Sequence, residues 1–512
     1  MTRSARVFGG VGLGQAHLVL ATLVGLWLTP VLLARVGAEQ YGLWLVGLQL
    51  LGYLYLLDLG VVGLLPRETA YASGRVLTGE PPALLAATVS RIRGVIWWQV
   101  PAVVVVTVTA WALLPASWEP LRTPLTWVLL FFAAAFPTRA YHALLQGLQD
   151  LVFLGQLQLA AWGTGTAVLV ALVFSGIGLP ALAAGWLVTQ GITVAACWWR
   201  IRSRHPAVWT TRPEAVSWAD ARAFIARSIW ISMAQVAQTL LAGSDVLLVA
   251  ALLGPAAAVP YACTAKLVQV LANHPQMLMQ AAAPALSEMR MSERRERLAA
   301  TTAALTRAML VLSGAIACVV IAINQDFVSW WVGPAQYGGS ALTVVLVAAM
   351  LARHVNTTTV YAVFCFGHER RLSITAVADG LVTTVTALML VPHLGLSGVA
   401  VASLVGVVTV SYVPNVRVLA RELGVHSWMP LMELRGWFVR FALCASAGAA
   451  FAALPLGHGF AQLVTRAAGV SIVYALVMVP FVVTGTLGVY VQQILPHPLQ
   501  VWTARLRGAD AA

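Results

Sequence analysis

The sequence predicts an all-α polytopic membrane protein of about fourteen transmembrane helices, in two parallel six-helix lobes followed by two further helices. Composition, the spacing of apolar runs and the placement of arginine lead to this reading. Hydrophobic residues make up 60% of the 512 and charged residues 10%, with a mean hydropathy of +0.83. A soluble domain carries about 25% charged residues. A net charge of +13 would point to nucleic acid in a soluble chain. Here the arginines fall in short segments between apolar runs, where the positive-inside rule puts them, so the charge reports orientation and excludes a nucleic-acid partner.

The runs follow one another along the chain. The first, 9–34, comes after Arg3 and Arg6 and exceeds the roughly 7 to 15 residues of a signal-peptide core, so it reads as a retained helix. A short turn, Arg35 to Gln40, leads into the second run, 41–65, which carries Asp58 near its inner end and stops before Arg67-Glu68. Helices 3 to 6 are read at 94–114, 125–145, 152–174 and 181–199, and helices 7 to 9 at 229–252, 259–285 and 308–323. Helices 10 to 14 follow at 340–366, 372–391, 398–415, 437–456 and 467–490. All but the ninth approach or exceed the roughly 20 residues that cross a bilayer core of about 30 Å.

With the N-terminus in the cytoplasm, 25 of the 31 Lys and Arg lie on the inner side. Only Arg35, Arg122 and Arg466 fall outside, and Arg139, Lys266 and Arg353 fall within helices. Both termini are therefore expected in the cytoplasm. The longest outer loop, 324–339, holds Trp330 and Trp331 as interface anchors.

A weak repeat divides the chain. Gly37 with Tyr41 matches Gly254 with Tyr261, and the segment from Gly178 matches that from Gly395, both glycine pairs being 217 residues apart. Tyr141 with Gly147 matches Tyr361 with Gly367 at an offset of 220. Six helices separate equivalent positions, so the halves enter the membrane in the same sense. The expected divisions are 1–216, 217–418 and, for the two extra helices and tail, 419–512.

Several chemistries are excluded. Cys197, Cys263, Cys318, Cys365 and Cys444 are scattered through apolar segments without metal-ligand spacing and read as packing residues. The only lysine, Lys266, follows Ala265, so no GxxxxGK[ST] phosphate loop exists. No two aspartates stand two residues apart, and no outer loop gathers carboxylates, which argues against an enzyme. Neither a cofactor nor a metal is expected.

With hairpin, repeat and topology in place, the sequence resembles the polysaccharide-transporter branch of the MOP flippase superfamily, the Wzx-like lipid-linked oligosaccharide flippases. The resemblance is carried by Arg35-Val-Gly with Tyr41-Gly42-Leu-Trp44, by Leu56-Leu57-Asp58-Leu59-Gly60, by Gln146-Gly147-Leu148-Gln149, and by Asp245-Val-Leu-Leu with Leu253-Gly254-Pro255. Val246 departs from the pattern, since relatives usually have Arg there. The resemblance implies two six-helix lobes around a cavity that opens alternately to each side of the bacterial inner membrane. It also implies an undecaprenyl-diphosphate-linked oligosaccharide as cargo, with polysaccharide polymerase machinery as partner.

A charged group near the bilayer centre costs at least about 2.5 to 3.5 kcal/mol and so faces protein or water. On helix 8, Lys266, Gln269, Asn273, Gln276 and Gln280 step by three and four, drawing one polar stripe down an apolar helix. They are expected to line a cavity, the alternatives being amide contacts between helices and a snorkelling lysine. Arg353, Asn356 and Thr357 share a face of helix 10, where Arg353 either binds substrate or pairs with Asp379. Arg139, His142 and Gln146 form a third stripe that is either substrate-facing or interfacial, and Gln235 is a candidate on helix 7. Asp58 is expected to pair with Arg67 or to cap, and Asp245, Asp379, His142, His274 and His354 are candidates for ion coupling. Cations would hold the diphosphate and amides the sugar. A MATE-like exporter of organic cations is the rival, disfavoured because three cations face mainly Asp245 and Asp379.

Overall fold

The computed structural model describes residues 3–77, 81, 83–206, 217–425, 429–454, 459–484 and 487–488, which are mostly helical, joined by short turns, and contain no strand. In chain order the helices are α1 (Arg3–Arg35), α2 (Ala38–Leu54), α3 (Val61–Leu77), α4 (Ala83–Ala112), α5 (Glu119–Ala135) and α6 (Arg139–Gly147). Then come α7 (Leu151–Phe174), α8 (Leu179–Arg204), α9 (Trp218–Leu253), α10 (Pro255–Ser292), α11 (Arg295–Val332) and α12 (Ser340–Cys365). The last are α13 (Glu369–Leu394), α14 (Ser397–Gly406), α15 (Val413–Leu423), α16 (Met429–Ala453) and α17 (Phe460–Thr484). Among the described residues 12 spans are long and apolar enough to cross a membrane, and α9, bent by 44°, makes up to 13. The expected count of fourteen is not reached by that measure. α10, which bears the polar stripe, is not among the 12.

Three spans depart from their sequence reading, each for a local reason. The second is broken: α2 ends in a tight turn, Tyr55–Asp58, and α3 begins only after Leu59 and Gly60, both left-handed at φ 49° and 74°. The fourth breaks into α5 and α6 at Phe136–Thr138, where Pro137 removes a backbone donor. The ninth is longer than read, since α11 has 38 residues and carries its polar ends beyond the apolar window.

The chain forms two compact units, Met1–Ala250 with Gly254–Ala258 and Ala251–Leu253 with Val259–Ala512. This packing boundary lies one helix after the division expected at 216/217, because α9 packs within the first unit. There Ser228 donates from its hydroxyl to the Leu59 carbonyl at 2.8 Å. The core of unit 1 is built from Leu43, Leu51, Leu65, Ile92, Leu125 and Phe136. Unit 2 has several smaller cores; in one, Cys318 of α11, Trp437 and Cys444 of α16 and Tyr474 of α17 pack together, and the Tyr474 hydroxyl donates to the Val311 carbonyl at 2.6 Å. All five cysteines are free and four are buried. Helices in lipid associate through small residues, and one such crossing recurs. In unit 1 a Cβ on Gly165 of α7 would lie 1.9 Å from Thr189 Oγ1 of α8, and in unit 2 a Cβ on Gly406 of α14 would lie 2.1 Å from Thr383 Oγ1 of α13.

Candidate functional site

The broken second span positions the first functional group. Two left-handed residues at the break between α2 and α3 leave backbone groups that need partners. The Gly60 amide donates to Asp58 Oδ1 at 2.9 Å, Gln99 Nε2 donates to the Asp58 carbonyl at 3.0 Å, and Ser228 serves Leu59. Asp58, 1% exposed, thus caps its own turn. Its other oxygen meets Arg139 Nη2 at 3.3 Å. The expected partner, Arg67, has a side chain outside the described residues; the cation that pairs with Asp58 is 81 residues away on α6.

Arg139 is held from three sides. Its guanidinium lies 4.5 Å from the centre of the Tyr55 ring and 5.6 Å from that of Phe136, both face-on contacts that favour a cation. Nη1 remains buried without a hydrogen-bond partner among the described residues. Arg139 lines a cavity of about 420 Å³ within unit 1, shared with His17, His142, Gln158, Trp162, Trp186 and Gln190. Thr189 and Thr193 add hydroxyls, each donating to a carbonyl four residues back and leaving its lone pairs free. His17 meets Trp162 edge to face at 5.3 Å. The cavity therefore offers an unsatisfied cationic donor, two imidazoles, amides and two indoles, a set that fits an anion carrying a polyol.

Of the expected residues, Arg139 and His142 are those found lining this cavity. Gln158, Trp162, Trp186, Thr189, Gln190 and Thr193 were not singled out. The last four step by three, one and three along α8, a polar and aromatic stripe that helical spacing makes visible once sought.

Unit 2 carries a second arginine and aspartate pair. Arg353 Nη1 lies 3.5 Å from Asp379 Oδ2, and its Nε and Nη2 donate to Ser403 Oγ at 3.0 and 2.8 Å. Asp379, 1% exposed, also accepts from Ser411 at 2.7 Å and Thr383 at 3.1 Å. Of the two roles open to Arg353, the ion pair with Asp379 is present. Asn356 accepts from Asn415 at 3.2 Å, while Thr357 bonds back to the Arg353 carbonyl at 2.8 Å. His354 is buried, with Nδ1 2.6 Å from Ser313 Oγ.

The stripe on α10 divides by exposure. Cys263, Thr264, Ala265, Val268 and Met279 are buried in unit 2, whereas Gln269, Asn273 and His274 are exposed and Lys266 and Gln276 half-buried. The stripe thus faces away from the unit's own core. Lys266 has no ion-pair partner among the described residues. His274 Nδ1 lies 3.3 Å from the Leu271 carbonyl, and the Gln280 side chain lies outside the described residues. On α9, Gln235 Oε1 is buried without a hydrogen bond among the described residues, and Asp245 lies within electrostatic reach of Tyr53. Among the described residues no three His, Cys, Asp or Glu side chains are grouped to hold a metal.

The hairpin between α1 and α2 is a structural joint. Arg35 lies over the Phe174 ring at 5.0 Å and Gln40 Oε1 accepts from the Leu179 amide at 3.3 Å, closing the first turn of α8.

Comparison with known proteins bears on the whole arrangement. A family model described as polysaccharide biosynthesis protein matches residues 128–338, less than half of the chain. No curated protein matches the sequence. A solved structure titled lipid II flippase MurJ, inward closed conformation, aligns over 91% of this chain and 98% of its own, with a TM-score of 0.61 at 10% identity. The chain shares the fold of that structure. The chain is thus a polytopic membrane protein whose resemblance to the Wzx-like branch is supported by the family match and by the fold. The family match begins in α5 and includes Arg139 and His142 of the unit 1 cavity, as well as the stripe on α10.

Proposed function

We propose that the chain is a flippase that moves an undecaprenyl-diphosphate-linked oligosaccharide from the inner to the outer leaflet by alternating access. The observation that carries this reading is the unit 1 cavity, where Arg139 keeps one donor unsatisfied beside imidazoles, amides and indoles. A diphosphate would take the Arg139 guanidinium, charge-assisted hydrogen bonds being the strong ones, and the Lys266 ammonium, on the polar stripe of α10, is a second candidate cation for the same cargo. Sugar hydroxyls would pair with Gln158 and Gln190, and the polyprenyl tail would stay in lipid. No bond is made or broken. Energy would come from an ion gradient, the substrate gradient or removal of product, and His142 is the coupling candidate that lines the cavity.

The surrounding assignments belong to the same reading: the bacterial cytoplasmic membrane, both termini inside, two repeat-related lobes over 1–216 and 217–418, and polysaccharide polymerase machinery taking the product. A MATE-like exporter of organic cations would need free carboxylates, and Asp58 and Asp379 are each engaged by an arginine. The test is complementation of a bacterial strain lacking its oligosaccharide flippase. Wild type restores surface polysaccharide, Arg139→Ala and Lys266→Ala restore little, and Arg139→Lys restores more than Arg139→Ala. Full restoration by both alanine variants would refute the diphosphate assignment.

A further inference from the structure

A second cavity, of about 670 Å³, lies within unit 2 between α11, α12, α16 and α17. Its polar lining comes from Gln325, Asp326, Tyr337, Ser340, Thr343 and Arg466. The volume falls in the range of small-molecule sites, about 300 to 1,000 Å³. Neither the repeat nor the transport reading gives this place a role, and two of its walls come from the helices that lie outside the repeat.

The lining specifies the ligand's chemistry. The Arg466 side chain is 4% exposed, pairs with Asp326 and donates from Nη2 to the Leu454 carbonyl at 2.6 Å. The pair cancels its own charge, so the cavity has no net demand for an anion or a cation. Arg466 Nε is nevertheless buried without a hydrogen-bond partner among the described residues. Gln325 and Ser340 are exposed and carry no hydrogen bond among the described residues. Tyr337 and Thr343 bond each other at 3.1 Å, and Asn324 Nδ2 fixes Thr343 at 3.0 Å, which holds that wall in place. A carboxylate acceptor, a guanidinium donor, an amide and a hydroxyl around one space suit a ligand whose groups both donate and accept, and that ligand is a polyol.

The depth of the cavity fits the same ligand. Trp330 packs on Phe460 at 5.6 Å between ring centres and Phe327 stacks on Trp331 at 5.3 Å, at the end of α11 next to Gln325 and Asp326. Such aromatic groups mark the level of lipid headgroups. We propose that this cavity is a carbohydrate subsite that receives the glycan of a lipid-linked saccharide at the outer membrane face. The source of that glycan rests on the flippase reading; the chemistry of the subsite rests on its lining.

The test uses the purified full-length protein in nanodiscs and measures binding of cellobiose, N,N′-diacetylchitobiose and a glucuronic-acid-containing disaccharide by saturation-transfer NMR. Wild type binds at least one of the three. Ser340→Phe, which fills the cavity from an exposed position, weakens that binding at least tenfold, as does Gln325→Leu, while Arg35→Ala, in the α1–α2 joint, binds as wild type. Thermal unfolding of both cavity variants matches wild type, which separates occlusion from misfolding. Binding by none of the sugars, undiminished binding in Ser340→Phe, an equal loss in Arg35→Ala, or equal competition by glycerophosphoglycerol would each overturn the subsite. Sugar binding at this cavity without lipid translocation would leave the subsite standing and refute the flippase reading; translocation without sugar binding would do the reverse.

Discussion

Removing the carboxylate of Asp58 tests whether the broken second span and the cavity cation are one device. Asp58→Ala leaves the Gly60 amide without its 2.9 Å acceptor and Arg139 without its 3.3 Å partner. Breaking a buried ion pair costs about 3 to 5 kcal/mol, because the remaining charge is uncompensated. Arg139 is 24% exposed toward a cavity that water can enter, which lowers the expected cost to about 3 kcal/mol. Asp58→Asn keeps an acceptor for Gly60 and costs about 1 kcal/mol less, the net worth of one hydrogen bond. If Arg139 is the reason for the rest of the cost, Asp58→Ala adds to Arg139→Ala only the roughly 1 kcal/mol of the lost Gly60 hydrogen bond, and the cycle returns about 2 kcal/mol of coupling. The assay is equilibrium unfolding in bicelles for the wild type, the two single variants and the double variant. Additivity within about 0.3 to 0.5 kcal/mol would refute the pairing as a stabilising element.

Other substitutions probe separate parts of the account. Gly60→Ala should lower the thermal midpoint sharply, because the residue is left-handed and its Cβ would meet the Ser228 carbonyl oxygen at 2.7 Å; a midpoint like that of wild type would contradict the turn geometry. Gly406→Ala should disturb the Arg353 and Asp379 network, since its Cβ would lie 2.5 Å from Asp379 Oδ1, and should cost at least as much stability as Ser411→Ala in the same unfolding assay. Arg35→Ala should leave transport near wild type and reduce stability by about 1 kcal/mol, the order of an exposed cation over a ring. Trp162→Ala and Gln190→Ala, measured for translocation at saturating substrate and at low substrate, should fall chiefly at low substrate, as loss of binding does.

Much of the architecture is legible in the chain because hydropathy and arginine placement are one-dimensional properties. What hydropathy does not register is a backbone break inside an apolar run. Leu56, Leu57 and Leu59 keep the second run apolar, while Asp58 and Gly60 supply an acceptor and a permissive residue for a turn. The same window shortened the ninth span, since Arg307 and Asp326 end the apolar stretch without ending α11. Arg139 and His142 were visible as a stripe because they share one helix. The rest of the cavity was not, because His17, Tyr55, Trp162 and Trp186 come from four segments that only tertiary packing assembles. Partner choice was similarly hidden: sequence proximity favoured Arg67 for Asp58, and the fold brings Arg139 across 81 positions. Arg353 with Asp379 was legible as an alternative because two opposite charges on successive helices have few other partners in lipid.

The central claim, that a cation of the unit 1 cavity holds the anionic head of a lipid-linked saccharide during its passage, is tested most directly in proteoliposomes. The measurement is the initial rate at which undecaprenyl-diphosphate-linked saccharide becomes accessible on the opposite leaflet, for wild type, Arg139→Lys and Arg139→Ala. The account predicts transport by wild type, a loss of about tenfold or more in Arg139→Ala, corresponding to about 1.4 kcal/mol, and partial recovery in Arg139→Lys. Equal rates for wild type and Arg139→Ala would contradict it.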